Sequence, residues 1–298
     1  MCPPSRYILI LLILLLALGI PACASPAGTP ATPTPTIPSA TPLPPTPTPP
    51  PLAVIVNDEW LTEDEFLAEV ERYRAAQQSL GNDVSTDDAA KVVLDDLIAQ
   101  VLLAQAARAD GFEMTEADVT ARIDALASQV GGVDALTSWQ SERGYTDESF
   151  RSALKRAAEA AWMRDKIITA VPGTAEQVHA KQILLYNENA ARNVSDQLNA
   201  GADFEDLAAL YDPNAGGELG WFPRGYLLEP ALEDAAFSMQ SGEFSDVIVT
   251  EVGYHIILVV ERDPEYKLSP DAYLVMQEKA LQDWLAQKRA TSDIILAP

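Results

Sequence analysis

The sequence predicts an α+β fold, a run of amphipathic helices followed by a small antiparallel sheet flanked by helices. Three stretches carry that prediction. Between Thr62 and Pro172, apolar residues recur at helical spacing, punctuated by capping residues and glycines. At Gly216-Gly217-Glu218-Leu219-Gly220-Trp221-Phe222 a glycine pair closes a loop and an extended run follows, with Leu219 and Trp221 expected on one face by the period of two. The third reads as a β hairpin: Val247 to Thr250, a tight turn at Val252-Gly253, then Tyr254 to Val260.

Taken in order, the chain opens with Arg6 and an unbroken apolar run from Tyr7 to Ile20. The run falls short of the roughly 20 residues a membrane-spanning helix needs and suits the core of a signal peptide. Ile20-Pro21-Ala22-Cys23 resembles a bacterial lipoprotein cleavage box, in which the cysteine becomes the lipidated first residue, although Pro21 departs from the commonest pattern. An ordinary signal peptide or an uncleaved anchor stays open, and each of these implies export. Ala24 to Leu52 is almost entirely Pro, Thr, Ser and Ala, a composition that buries no apolar area and favours extended polyproline II conformations. At about 3.1 Å per residue it could hold a folded body up to roughly 90 Å from an anchor. A spacer and an inert tail both fit it.

From Val54 the composition changes abruptly. Ala53 to Leu61 reads as a short strand and turn, and Thr62 with Glu65 as a capping box ahead of Phe66, Leu67, Val70 and Tyr73. A second helix is predicted over about Asp87 to Ala109, stopping at Gly111. Thr115 caps a third through Val130, ended by Gly131-Gly132, and a fourth runs from Val133 to Arg143 and stops at Gly144. Thr146 caps a long fifth that ends before Pro172. Leu227 to Met239 reads as an amphipathic helix with Leu228, Leu232, Ala235, Ala236 and Met239 on one stripe. Ser269-Pro270-Asp271 starts a last helix to about Arg289, with serine at N-cap and proline at N1.

Composition narrows the functional classes. A formal charge of −24 over 298 residues argues against nucleic-acid partners and against adsorption to an anionic lipid surface by charge. Cys2 and Cys23 are the only cysteines and both precede the folded part, so a disulfide or thiol nucleophile there is not expected. With His179 and His255 the only histidines, a zinc site is not expected, nor any other cofactor. Gly-x-Ser-x-Gly, P-loop and dinucleotide-binding motifs are lacking.

Five separated motifs then fall in one order: Ala180-Lys181-Gln182-Ile183-Leu184-Leu185, Gly201-Ala202-Asp203-Phe204 with Leu207-Ala208, the Gly216 to Phe222 run, Phe237 with Gly242-Glu243-Phe244-Ser245, and Gly253-Tyr254-His255-Ile256-Ile257. On these motifs the stretch from Val178 to Arg262 resembles the parvulin (rotamase) family of peptidyl-prolyl isomerases. The strand, turn and five helices ahead of it resemble the N-terminal chaperone domain of secreted foldases of the PrsA and SurA families. That resemblance implies an all-α N-terminal domain completed by the C-terminal helix, with a parvulin domain (a four-stranded antiparallel sheet flanked by helices) inserted in it. The expected boundaries are signal peptide 1–22, lipid-anchor cysteine and linker 23–52, helical domain 53–175, parvulin domain 176–263 and C-terminal helix 264–298. A second parvulin copy is lacking, which favours the PrsA-like arrangement.

The resemblance also assigns a site. His255 stands on the family's second histidine position and Thr250 on its hydroxyl position. Asp212 falls near the Asp/Cys position, on a loop from Tyr211 to Gly216 that is shorter than usual. Gln182 stands where the family usually has its first histidine, and His179, an odd offset away along a strand, points to the opposite face. Leu219 matches a pocket leucine. Leu227 and Leu232 fall near positions usually held by methionine and phenylalanine, in an alignment one residue loose, while Phe237 serves the cup or the core.

Rotation about an X-Pro bond faces a barrier of about 20 kcal/mol, and no bond is made or broken. A catalyst needs to bind the twisted peptide better than either planar form, through an apolar cup for the ring and polar groups beside the carbonyl. Gln182 for histidine predicts weakened isomerisation, by about tenfold because little charge develops. The function expected is an exported, membrane-anchored isomerase and foldase acting on unfolded, proline-containing polypeptide clients. The alternative is a holdase with a feeble parvulin unit, and a purely structural envelope lipoprotein is a third reading.

Overall fold

The computed structural model describes residues 51–297, so the expected signal peptide, Cys23 and nearly all of the proline-rich stretch lie outside the described residues. The elements in order are β1 (Leu52–Val56), β2 (Glu59–Thr62), α1 (Glu63–Ser79), α2 (Thr86–Ala109), α3 (Glu116–Val130), α4 (Val133–Glu142) and α5 (Asp147–Thr169). They continue with β3 (Thr174–Leu185), α6 (Glu188–Asn199), α7 (Phe204–Tyr211), β4 (Glu218–Pro223), α8 (Pro230–Ser238), β5 (Ile248–Val249), β6 (Tyr254–Lys267), α9 (Pro270–Thr291) and β7 (Ile294–Leu296). The described residues fall into two compact units, to both of which α2 and α5 contribute.

One unit holds residues 51–98, Glu113–Ala157 and 294–297. Its helices start where the sequence supplies oxygen caps: Thr62 accepts from the Glu65 amide at 3.2 Å, and Thr115 makes a full reciprocal box with Asp118. Gly131 ends α3 in the left-handed conformation. Ala127, Leu136 and Phe150 form a small core with Trp139 and Tyr145 packed against it. The Arg72 guanidinium lies 4.0 Å over the Tyr145 ring and donates to the Arg143 carbonyl at 2.8 Å. A strand not foreseen from sequence, β7, pairs antiparallel with β1 to give the order β2-β1-β7. The chain's last strand thus pairs with its first described one.

The other unit holds Ala99–Phe112 and Ala158–Asp293. Glu159 is fully buried and paired with Arg108, and Phe112 stacks on Trp162 at 4.9 Å. α9 meets the end of α5 through Tyr273 Oη donating to the Val171 carbonyl (3.3 Å) and Gln277 Nε2 donating to that of Ile168 (3.0 Å). Its Lys279 and Met276 side chains lie against Gly225.

At the centre of this unit is a four-stranded antiparallel sheet in the order β4-β3-β6-β5. One face buries Ile183, Leu185 and Ile256 with α6 and α7; the other buries Val178, Ala180, Ile257 and Val259 with α8. Two sequence expectations are corrected here. The helix expected from Leu227 begins only at Pro230, because proline fixes N1 and holds Glu229 extended (φ −105, ψ 98). Leu219 and Trp221 do not share a face. Gly220 is left-handed (φ 73) and a bulge sits between Ala180 and Lys181, so the alternation slips. Leu219 joins Phe222 on the α8 side, whereas Trp221 stacks between His179 (5.4 Å) and Tyr266 (4.0 Å) on the opposite one.

Candidate active site

Strand register brings the polar groups together. Leu184 is opposite His255, so Gln182 lies diagonal to it on the same face, and Ile248 flanks His255 from the other side. His255 is 3% exposed, and both its ring nitrogens are engaged. Nδ1 lies 3.0 Å from Gln182 Oε1, and Nε2 lies 2.9 Å from Thr250 Oγ1. The carboxamide oxygen can only accept, so Nδ1 carries the proton. In a neutral ring Nε2 is then the acceptor, and the Thr250 hydroxyl donates to it. The Thr250 lone pairs take the amides of Val252 (3.1 Å) and Gly253 (3.3 Å), which form the hairpin turn. Burial holds His255 below the ordinary histidine value, opposed by the negative charge of Glu229, and this favours the neutral ring.

Once the chain Thr250–His255–Gln182 is closed, the Gln182 amide group remains. Its Nε2 takes no hydrogen bond among the described residues, and the side chain is half-buried at the end of the α8-side core. Thr250 and His255 therefore orient Gln182, and Gln182 presents two N–H donors.

Asp212 is placed differently from the sequence expectation. Its carboxylate accepts the amides of Ala215 (3.1 Å) and Gly217 (3.2 Å), which hold it below the usual carboxylate value. No hydrogen bond joins it to Gln182, Thr250 or His255 among the described residues. It acts through the loop: the Gly217 carbonyl accepts the Gln182 amide at 2.7 Å, and a Cβ at Gly217 (φ 72) would overlap the Gln182 carbonyl oxygen. The glycine pair is what lets this loop close on β3.

The apolar candidates divide in two. Leu219 and Leu227 are half-buried and pack at the edge of the core. Leu232 and Phe237 are only 5% and 4% exposed. The Phe237 ring packs edge-on to Phe222, with Arg224 at 4.2 Å and Arg262 at 5.9 Å over it, so its place is in the core. Sequence reasoning missed Glu233, whose carboxylate accepts the amides of Gly225 (2.6 Å), Tyr226 (3.1 Å) and Leu227 (3.3 Å). Three converging N–H groups fix the loop that carries Leu227. A carboxylate one turn into a helix behind a Gly-x-x loop was the available signal. His179 contacts Glu218 at 2.6 Å and lies on the opposite face, as its offset from Gln182 required.

A four-stranded antiparallel sheet with helices on both faces agrees with the parvulin-type peptidyl-prolyl isomerase that the motifs lead one to expect. Residues 172–261 match the PPIC-type PPIase domain, and residues 8–161, more than half of the chain, match the SurA-like N-terminal domain. The chain belongs to the PrsA family of foldases. It is 29% identical over 229 residues to the foldase protein PrsA of Halalkalibacterium halodurans, covering 69% of this chain and 66% of the relative. It is 30% identical over 227 residues to PrsA 2 of Listeria innocua, covering 66% and 77%. A crystal structure of the PrsA peptidylprolyl isomerase from Bacillus cereus matches 70% of this chain and 82% of its own at 24% identity, with a TM-score of 0.41. The chain thus matches about two thirds of the length of the first of these relatives.

Proposed function

We propose that the protein is an exported, lipid-anchored foldase that isomerises X-Pro bonds in unfolded clients, with Gln182 as the group that touches the substrate. The observation that carries this reading is the closed hydrogen-bond chain Thr250–His255–Gln182 beside Leu219 and Leu227. A planar imide is strongly dipolar, and twisting it removes conjugation and leaves the prolyl nitrogen a better acceptor. An apolar edge formed by Leu219 and Leu227 disfavours the dipolar planar form. The Gln182 N–H groups, held in place by His255, donate to the twisted one, which is differential binding of the transition state. Asp212 and Glu233 position the two loops that frame the site. Leu232 and Phe237 support it from the core.

Export and anchoring rest on the sequence: the Tyr7 to Ile20 run, the box ending at Cys23 and the Pro/Thr-rich spacer. The helical domain at 53–175 is the part that would hold clients while the inserted unit works on their prolines. A protease-coupled proline-peptide assay on the full chain tests the catalytic part, with acceleration expected. If the peptide relaxes at its uncatalysed rate while client aggregation is suppressed, the holdase reading replaces it. Absence of radiolabelled fatty acid incorporation in the wild type would end the anchoring proposal, and incorporation that survives Cys23→Ser would remove Cys23 as its site.

A further inference from the structure

The loop between Leu227 and α8 ends in a carboxylate that the fold does not use. Glu229 occupies the N-cap position of α8 but makes no side-chain cap; only its backbone carbonyl accepts, from Leu232 at 3.1 Å and Glu233 at 3.4 Å. Glu233, one turn into α8, is saturated by three backbone amides. The Glu229 carboxylate takes no hydrogen bond or ion pair among the described residues, although it is half-buried. It follows directly on Leu227, at the apolar edge of the site, and Leu228, which is 92% exposed. Its charge is felt at His255, where it is the one acidic group opposing the effect of burial.

A half-buried carboxylate with no internal partner, next to a peptide-binding edge, is complementary to a cation on the peptide. We propose that Glu229 makes the site select prolines preceded by lysine or arginine, an inference that rests on the isomerase reading above. It also bears on a difficulty built into the chain. Covalent attachment keeps the prolines between Ala24 and Leu52 at an effective concentration on the order of millimolar, enough to fill a site that gripped any proline. Each of those prolines is preceded by Ser, Thr, Ile, Leu or Pro, and no charged residue occurs between Cys23 and Asp58. A site that reads a cation passes over its own tether and stays open to clients.

Three peptides differing only in the residue before proline, Lys-Pro, Ala-Pro and Glu-Pro, test this on the full chain. Isomerisation (kcat/KM) and fluorescence-detected binding are measured separately. The expected order is Lys above Ala above Glu, with a Lys-to-Ala ratio of about three- to tenfold at low salt that shrinks as salt rises. Glu229→Gln brings the ratio to about one, and Glu229→Lys reverses it. Asp234→Asn, the same change of charge within the helix that Glu229 caps, leaves it in place. A ratio that survives Glu229→Gln, or that Asp234→Asn reduces equally, assigns the preference to the overall negative charge and overturns the inference. Preferential binding without isomerisation upholds Glu229 and removes the enzyme reading; isomerisation without preference does the opposite.

Discussion

At the residue scale the account turns on Gln182. Removing it leaves the Nδ1–H of a buried histidine without its acceptor, at a cost of about 1–3 kcal/mol. Gln182→Ala is therefore expected to lower stability by that amount in urea unfolding and isomerisation by about tenfold, less than the 10²–10³ that loss of an oxyanion donor costs. Gln182→His, which keeps a ring donor at the position, should retain or raise the rate. His255 supplies a pH test. Burial holds it below the usual value near 6.5, so the unfolded chain binds the proton more readily than the folded one. The stability it confers is present above pH 6.5 and is lost as pH falls below 6.5 toward the lower folded value. Protonation also turns Nε2 into a donor facing a Thr250 oxygen whose lone pairs already hold two amides. Wild type should lose stability and activity below pH 6.5, and His255→Gln should lack that part of the stability loss in thermal melts.

At the element scale, the close approach of the 212–217 loop to β3 decides whether Gln182 is presented at all. Gly217→Ala combines a left-handed φ with overlap on a backbone oxygen that cannot yield as a side chain would. A loss of about 2 kcal/mol or more is expected from denaturant titration. Helices were the most legible elements, because Thr62, Thr115 and Ser269 announce their starts and Gly131 an end in local chemistry. Motif positions single out Gln182, Thr250 and His255, and the structure links them in one hydrogen-bond chain, with Gln182 in β3, His255 in β6 and Thr250 just after β5. Period-two reasoning failed at Trp221, since it assumes an unbroken pleat and Gly220 interrupts it. β7 was not legible: its three residues gain meaning only from β1 at the other end of the described chain. Asp212 and Glu233 were obscured for another reason. Both accept backbone amides of a neighbouring loop. Asp212 was thus legible as a position but not in this role, and Glu233 only through its place one turn into a helix behind a glycine loop.

At the scale of the whole molecule, each unit carries an ion pair withdrawn from water, Arg156 with Glu65 in one and Arg108 with Glu159 in the other. In the unit around the sheet, the pairing of Arg108 with the fully buried Glu159 ties α2 to α5. Arg108→Ala strips the guanidinium from a carboxylate kept from water, and a loss of about 3 kcal/mol is expected in thermal or urea unfolding. Loss within about 0.5 kcal/mol of zero would show that other groups carry that carboxylate. The acidity of the chain, −24 overall, is a field that speeds the approach of any cationic peptide at low salt, so a salt-dependent on-rate is expected for such peptides.

If a carboxamide steadied by a neutral histidine turns the imide at an apolar edge, removing either part slows the turning. Exchange NMR on a proline peptide measures the cis–trans rate directly, without a coupling protease, for wild type, His255→Ala and Leu219→Ala. Exchange is expected to be accelerated by the wild type and slowed by about tenfold or more in each variant, with chemical shifts elsewhere in the domain unchanged. Acceleration that both variants retain in full, or its absence from the wild type, would contradict that expectation.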